Sequence, residues 1–161
     1  MVKIATMTDL QECRAALLAV KENCDLPVIV SLTYEERGRT FLGHSPACAA
    51  LTLEGMGADA IGVNCSLGPR EMPAIVEELT RWTNLPIMVK PNAGLPDPSG
   101  AGYDITADEF AQAMASLTEL GVKLYGGCCG TTPEYIAKLC RALEGRTIRE
   151  IPRQVPAAVC S

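Results

Sequence analysis

The chain has no basic excess, no long apolar run, a single histidine and no Cys-x-x-Cys pair. The first absence removes nucleic acid as a partner: the formal charge is −5, the pI is near 4.9, and no basic stripe is available to neutralise phosphates. The short basic cluster from Arg146 to Arg153 is interrupted by Glu150 and reads as a solvated tail. No apolar run approaches the ~20 residues that a bilayer-spanning helix needs, so no membrane partner is expected. Met1-Val2-Lys3-Ile4-Ala5 has neither the apolar core nor the cleavage site of a signal peptide, and a cytoplasmic location is the expectation. His44 lies in a Gly/Pro-rich loop and reads as loop packing rather than as a ligand. Without paired cysteine motifs, a closed four-ligand zinc site and an iron–sulfur cluster both lack their usual spacing.

Cysteine itself is plentiful, with eight in 161 residues. In a chain with no export signal these are expected to be reduced. Cys13 and Cys140 fall on apolar helical stripes and read as small buried side chains, as do Cys24 and Cys48. Cys160, in the polar tail, reads as exposed. Cys65, Cys128 and Cys129 differ, because they sit in turns rich in glycine or proline.

At 48% apolar content, 161 residues suffice for one domain with a real core. Short apolar runs alternate with helical patterns, the signature of parallel strands crossed by helices. The strand candidates are 2–5, 28–32, 60–63, 87–90 and 122–125, each nearly continuous in apolar residues, as strands buried on both faces are. Thr8-Asp9-Leu10-Gln11 reads as a capping box before a helix whose face carries Leu10, Cys13, Leu17 and Val20. Further helices are expected from Ser45-Pro46 to Met56, and from Pro69 with a stripe of Met72, Ile75, Leu79 and Trp82. Another follows the Thr106/Glu109 capping box and carries Phe110, Ala113, Met114, Leu117 and Leu120 up to Gly121. The last starts at Thr132-Pro133, carries Ile136, Leu139, Cys140 and Leu143, and closes at Gly145.

Five strand–helix units of roughly 30 residues each fill residues 1–145. The remaining residues, 146–161, read as a linker or tail. Eight such units close a TIM-type barrel of ~250 residues. The fold expected is therefore α/β, with parallel (β/α) units forming a partial TIM-type barrel of about five of the eight strands. An open doubly wound sheet is the alternative. The abrupt start, almost inside a strand, favours the partial barrel.

In such barrels, functional residues sit where strands pass into the following loops. Cys65, in Val63-Asn64-Cys65-Ser66-Leu67-Gly68-Pro69, and Cys128-Cys129, in Gly126-Gly127-Cys128-Cys129-Gly130-Thr131-Thr132-Pro133, both occupy that position. Three thiols on one rim suit a zinc ion with three protein ligands and one open position, the pattern of a catalytic rather than a structural site. Gly126, Gly127 and Gly130 are expected to supply the unusual backbone angles that let neighbouring cysteines share one metal. A zinc ion with three thiolates is a poor activator of water, but it can hold an incoming thiol as thiolate. Since a free thiol has a pKa near 8.5, that is a real gain for an alkyl-transfer nucleophile. A vicinal Cys128–Cys129 disulfide acting as a redox switch, a structural zinc, and packing with no metal remain open readings of the same residues.

The three motifs Val63–Pro69, Val89-Lys90-Pro91-Asn92-Ala93-Gly94-Leu95-Pro96 and Gly126–Pro133, in this order, resemble the homocysteine S-methyltransferase family. Within it the likeness is greatest to the homocysteine-binding module of the cobalamin-dependent methionine synthases, and it runs from Thr6 to about Leu143. The resemblance implies that residues 1–145 are the C-terminal part of the family's barrel, and that Cys65, Cys128 and Cys129 are catalytic zinc ligands. It implies that Asn64, Asn92, Thr33 and Gly127 line a homocysteine pocket, bordered by Tyr34, with Lys90 as strand cap or pocket residue. The implied reaction is attack of a zinc-bound homocysteine thiolate on an activated methyl group, giving methionine. Methylcobalamin, carried on another domain, is the implied donor, with folate- and cobalamin-binding domains as partners. Two departures stand out. Only five strands of eight are present, which would leave two long sheet edges and one side of the pocket open. Where the family usually has a glutamate that holds the substrate ammonium, this chain has Ala5-Thr6. A non-catalytic zinc-binding or oligomerising module is the alternative function.

Overall fold

A computed structural model describes residues 1–96 and 102–151. The strands β1 (Val2–Met7), β2 (Val28–Leu32), β3 (Ala60–Asn64), β4 (Ile87–Lys90) and β5 (Leu124–Tyr125) alternate with helices. These are α1 (Leu10–Asn23), α2 (Pro46–Gly55), α3 (Met72–Trp82), α4 (Ala107–Ser116) and α5 (Pro133–Leu143). Neighbouring strands are all parallel, and their order across the sheet is their order in the chain.

The two faces of the sheet are unlike. Val30, Leu32, Ile61, Val63, Ile87 and Val89 join Leu17, Leu53, Leu79, Phe110 and Leu139, one from each helix, in the main core. Among the described residues, the apolar cluster on the other face is small: Ile29, Ala60 and Met88, with Leu124 packed beside them. A doubly wound sheet reverses its strand order and has helices on both faces. One-sided helices on an unreversed parallel order make the wall of a barrel instead.

Local signals set most boundaries. Thr106 and Glu109 cap α4 reciprocally, as their spacing implies. The cap of α1 is Asp9 rather than Thr8, because the Asp9 carboxylate reaches the Gln11 N–H at 2.9 Å. α3 begins at Met72, later than Pro69 suggests: Pro73 lies in its first turn, and Pro69 belongs to the turn before it. The helical run after α4 tightens into a 3-10 turn, Leu117–Leu120, and stops at Gly121 with φ 73°.

Three expectations about edges and burial need correction. β2 and β3 are buried throughout, but β1, which extends to Met7, is only partly covered, as an edge strand is. The opposite edge is not long, since β5 has two residues: the Val122 N–H turns back to Leu117 O and keeps that residue out of the ladder. On α5 only Leu139 is buried, while Ile136 and Cys140 are exposed. That helix packs against α4, where Tyr135 meets Phe110 edge-on at 5.5 Å, and among the described residues its far side has no cover. Cys13 is fully buried, whereas Cys24 and Cys48 are half-buried. Within 146–161, the described residues 146–151 run back along the 3-10 turn, with the Arg149 N–H donating to Thr118 O at 3.0 Å. Cys160 lies outside the described residues.

Phe110 is fully buried at the α4–α5 seam, so Phe110→Ala is expected to cost about 3–5 kcal/mol. Urea denaturation followed by circular dichroism measures this. A loss below about 1 kcal/mol would mean that the seam is not part of the cooperative core.

Candidate metal centre

Parallel strands put all their C-terminal ends on one rim, and the two cysteine turns follow β3 and β5 there. Between them runs the segment that leaves β4. Its Lys90 O accepts from the Cys65 N–H at 3.0 Å, and its Asn92 N–H donates to Leu67 O at 3.0 Å. On the other side, the Cys128 N–H donates to Pro91 O at 2.8 Å, and the Ala93 N–H donates to Cys129 O at 2.9 Å. The Asn92 carboxamide oxygen also accepts from the Cys129 N–H at 3.1 Å. Both turns are thus pinned to one strip of backbone.

The result is a cluster in which the sulfurs of Cys65, Cys128 and Cys129 all lie within 4.8 Å of one another. Cys65 Sγ and Cys129 Sγ are 3.6 Å apart. With a zinc–sulfur distance of about 2.3 Å, tetrahedral geometry calls for sulfurs about 3.8 Å apart. The donor set therefore fits a zinc ion. Cys65 and Cys128 are half-buried and Cys129 is exposed, so the cluster is accessible from solvent.

The surroundings divide the thiols. Burial comes first for Cys65 and, with the neighbouring sulfurs, pushes its thiol up to about 11. Burial also opposes ionisation of Cys128, but hydrogen bonds from Cys65, from the Cys129 backbone and side chain, and from Asn64 outweigh it and hold Cys128 below the usual range. Lys3 is lowered to about 8, first by burial and then by contact with Lys90, with Cys128 acting in the opposite sense.

The remaining sequence candidates occupy distinct places. Asn64 is buried; its carboxamide oxygen accepts from the Thr6 N–H at 3.0 Å and from Ser31 Oγ at 2.6 Å. Its amide nitrogen donates to Thr6 Oγ1 at 2.9 Å and points to Cys128 Sγ at 4.0 Å, so Asn64 ties β1 and β2 to the cluster. Thr33 is buried at the end of β2, its N–H donating to Met7 O at 2.8 Å, while its hydroxyl has no partner among the described residues. Tyr34 sits in the helix-side core rather than at the rim. Lys90 lays its aliphatic stem across Gly126, where a methyl group would come within 2.9 Å of Cε. His44 is bound into its own loop through Thr40.

The glycines act differently from expectation. Of the three flanking the vicinal pair, only Gly130 has a positive φ, 77°. Gly126 makes room for Lys90, and Gly127 makes room for Thr131, whose Cβ would lie 2.7 Å from an added methyl group. The left-handed backbone is instead at Cys65 and Ser66, with φ of 63° and 55°.

Sequence reasoning missed Thr6, Ser31 and Tyr103. Tyr103 belongs to the far arm of the loop after β4, pairs with Pro96, and lies over Gly130 beside Cys129. A lone aromatic in a loop rich in glycine and proline was the available signal.

Comparisons with known proteins bear on the family and the fold. A family model described as homocysteine S-methyltransferase matches residues 1–143. The chain is 37% identical over 160 residues to a methionine synthase of Mycobacterium leprae and 38% identical to one of Mycobacterium tuberculosis, covering 94% of this chain in each case. It spans only 13% of the length of those relatives. Among solved structures, the Escherichia coli homocysteine methyltransferase MmuM in its apo form superposes with a TM-score of 0.68 at 25% identity, over 88% of this chain and 49% of that one. Its metallated form gives 0.68 at 26% identity, over 86% and 43%. The five strands are accordingly part of a TIM-type barrel.

The donor set predicts one zinc per chain. Because ligation removes thiol protons, uptake is expected to release protons and to weaken as pH falls. The raised Cys65 thiol contributes to that slope. Cys65→Ser should lower zinc affinity by at least about tenfold, whereas Cys140→Ser, exposed on α5, should leave it unchanged. Competition with a chromophoric chelator across pH measures both. Equal affinities for the two variants would contradict the assignment.

Proposed function

The chain belongs to the homocysteine S-methyltransferase family, and we propose that it carries the thiol-activating site of an enzyme that methylates homocysteine to methionine. The convergence of Cys65, Cys128 and Cys129 within 4.8 Å is the observation that carries the reading. It accounts for two distant turns, the strained backbone at Cys65 and the strip that joins them. Catalytic and metal-binding roles are assigned to these three residues together.

A zinc ion held by these three thiolates would bind the substrate thiol as thiolate, keeping it nucleophilic at neutral pH. The chain's own residues supply position. Asn92 orients the Cys129 turn through its N–H, and Asn64 holds Cys128 against β1 and β2. Thr33 offers a buried hydroxyl with no partner among the described residues, suited to a polar group of the substrate. Gly127 keeps the turn narrow for Thr131, whose hydroxyl donates to Cys128 O at 2.7 Å. In the transfer, the substrate sulfur forms a bond to the methyl carbon as the methyl–donor bond breaks, and the electron pair departs with the donor.

Methylcobalamin on another domain is the proposed donor, with folate- and cobalamin-binding domains as partners, since the curated relatives are methionine synthases that this chain spans only in part. In this reading residues 1–145 are the C-terminal part of the family's barrel, and 146–161 are a linker or tail. Ala5 provides no carboxylate for the substrate ammonium.

Titration calorimetry tests the reading. Homocysteine is expected to bind the zinc-loaded chain saturably with release of about one proton, and homoserine, which lacks the thiol, is not. Because Ala5 contributes no charge, 4-mercaptobutyrate should bind within about threefold of homocysteine, and Ala5→Glu should separate the two by about tenfold. Equal binding of homocysteine and homoserine would overturn the function.

A further inference from the structure

Among the described residues, left-handed backbone outside glycine occurs at Thr6, Cys65 and Ser66. Two of these form the Cys65 turn; the third, Thr6 with φ 61°, lies near the end of edge strand β1. A β-branched residue is a genuine outlier there, where glycine would sit without strain. The pairing of β1 with β2 is irregular at the same point: Ile4 faces Val30 and Met7 faces Leu32, so three steps along β1 match two along β2. An extra residue of this kind bends a strand and re-aims its side chains. Strain that persists in a fold directs attention to what it holds.

Thr6 holds the carboxamide of Asn64 at both ends. Its N–H donates to Asn64 Oδ1 at 3.0 Å, and Asn64 Nδ2 donates to Thr6 Oγ1 at 2.9 Å. Ser31 Oγ supplies a second donor to the same carboxamide oxygen at 2.6 Å. The two hydroxyls can turn to give or to accept, but the backbone N–H of Thr6 can only give. It therefore decides which end of the amide is oxygen, and leaves the second proton on Nδ2 for Cys128 Sγ, 4.0 Å away. Asn64 is buried, so a swing of the amide would leave polar atoms without partners. Because Cys65 follows Asn64 in the chain, one clasp reaches both thiol turns from the β1 side.

We propose that Thr6 is a positioning residue that aims the Asn64 amide at Cys128 and so sets the charge this sulfur offers a metal ion. The proposal rests on the thiol-activating reading above. An N–H donated to a thiolate draws charge from the sulfur. Several thiolates round one divalent ion repel one another, and a donor at Cys128 relieves part of that repulsion. The strained backbone is explained by the same role. Glycine would suit φ 61° better but has no hydroxyl to hold the nitrogen end of the amide.

The test compares wild type with Thr6→Val, which keeps the shape but loses the hydroxyl, and with Thr6→Ser, which keeps the hydroxyl. Circular dichroism checks that each is folded. If Thr6→Val does not fold, Thr6→Gly takes its place, since glycine adopts the left-handed backbone freely and also lacks the hydroxyl. Zinc affinity, from competition with a chromophoric chelator, is expected to fall about tenfold in Thr6→Val and to stay within about twofold of wild type in Thr6→Ser. Cobalt(II) in place of zinc gives the spectroscopic readout. The sulfur-to-cobalt charge-transfer band is expected to move to lower energy in Thr6→Val, because a sulfur without its donor gives up charge more easily, and to stay in place in Thr6→Ser. Wild-type affinity in Thr6→Val, or an equal loss in Thr6→Ser, would overturn the proposal. A weaker affinity with an unmoved band would mean a merely structural role and would overturn it as well. None of these readouts uses homocysteine, so a metal-loaded chain that ignores homocysteine overturns the thiol-activating reading while Thr6 is still decided. A wild-type chain that takes up neither ion would overturn that reading and the proposal with it.

Discussion

The strip of backbone from Lys90 to Ala93 is the constraint on which the site depends. One edge holds the Cys65 turn through Lys90 O and the Asn92 N–H, and the other holds the vicinal pair through Pro91 O and the Ala93 N–H. Backbone hydrogen bonds to buried groups are costly to leave unmade, so the two turns cannot drift apart without breaking several at once. Sulfur spacing is thereby fixed by the sheet rather than by any direct bond between the cysteines. An ion entering such a site meets donors already in place, and little ordering remains to oppose binding.

Backbone strain is concentrated at the same place. Cys65 and Ser66 hold left-handed φ values that non-glycine residues rarely adopt. The conformation turns the chain sharply at the end of β3, and the hydrogen bonds from Cys65 N–H to Lys90 O and from Leu67 N–H to Cys65 O hold it there. Local cost of this kind persists where surrounding structure over-determines it, and it clusters at functional sites. The vicinal pair uses another device: glycines at 126 and 127 admit Lys90 and Thr131, and only Gly130 needs its own freedom of φ.

The strands and the rim that bears the thiols were legible in the sequence because parallel strands buried on both faces, as β2 and β3 are, leave apolar runs, and the turn after each run lands on one rim. The order of motifs supported the same placement. The features that stayed hidden depend on packing. Glycine looks alike in sequence whether it serves φ or close approach, so the sequence assigns Gly126 and Gly127 the wrong reason. Cys140 and Ile136 have helical spacing, but spacing does not say whether a neighbour covers that side of α5. Asn64 reads as a pocket residue by position, and only the contacts with Thr6 and Ser31 show its carboxamide tying strands together. Tyr103 comes to lie over Gly130 through a loop whose fold no local pattern encodes.

Zinc-edge X-ray absorption of the loaded chain, before and after homocysteine, tests the central claim most directly. Three sulfur neighbours at about 2.3 Å with one lighter atom, becoming four sulfurs on addition of the thiol, is the result the account predicts. Four protein sulfurs at the outset, fewer than three, or a first shell that ignores the added thiol would contradict it.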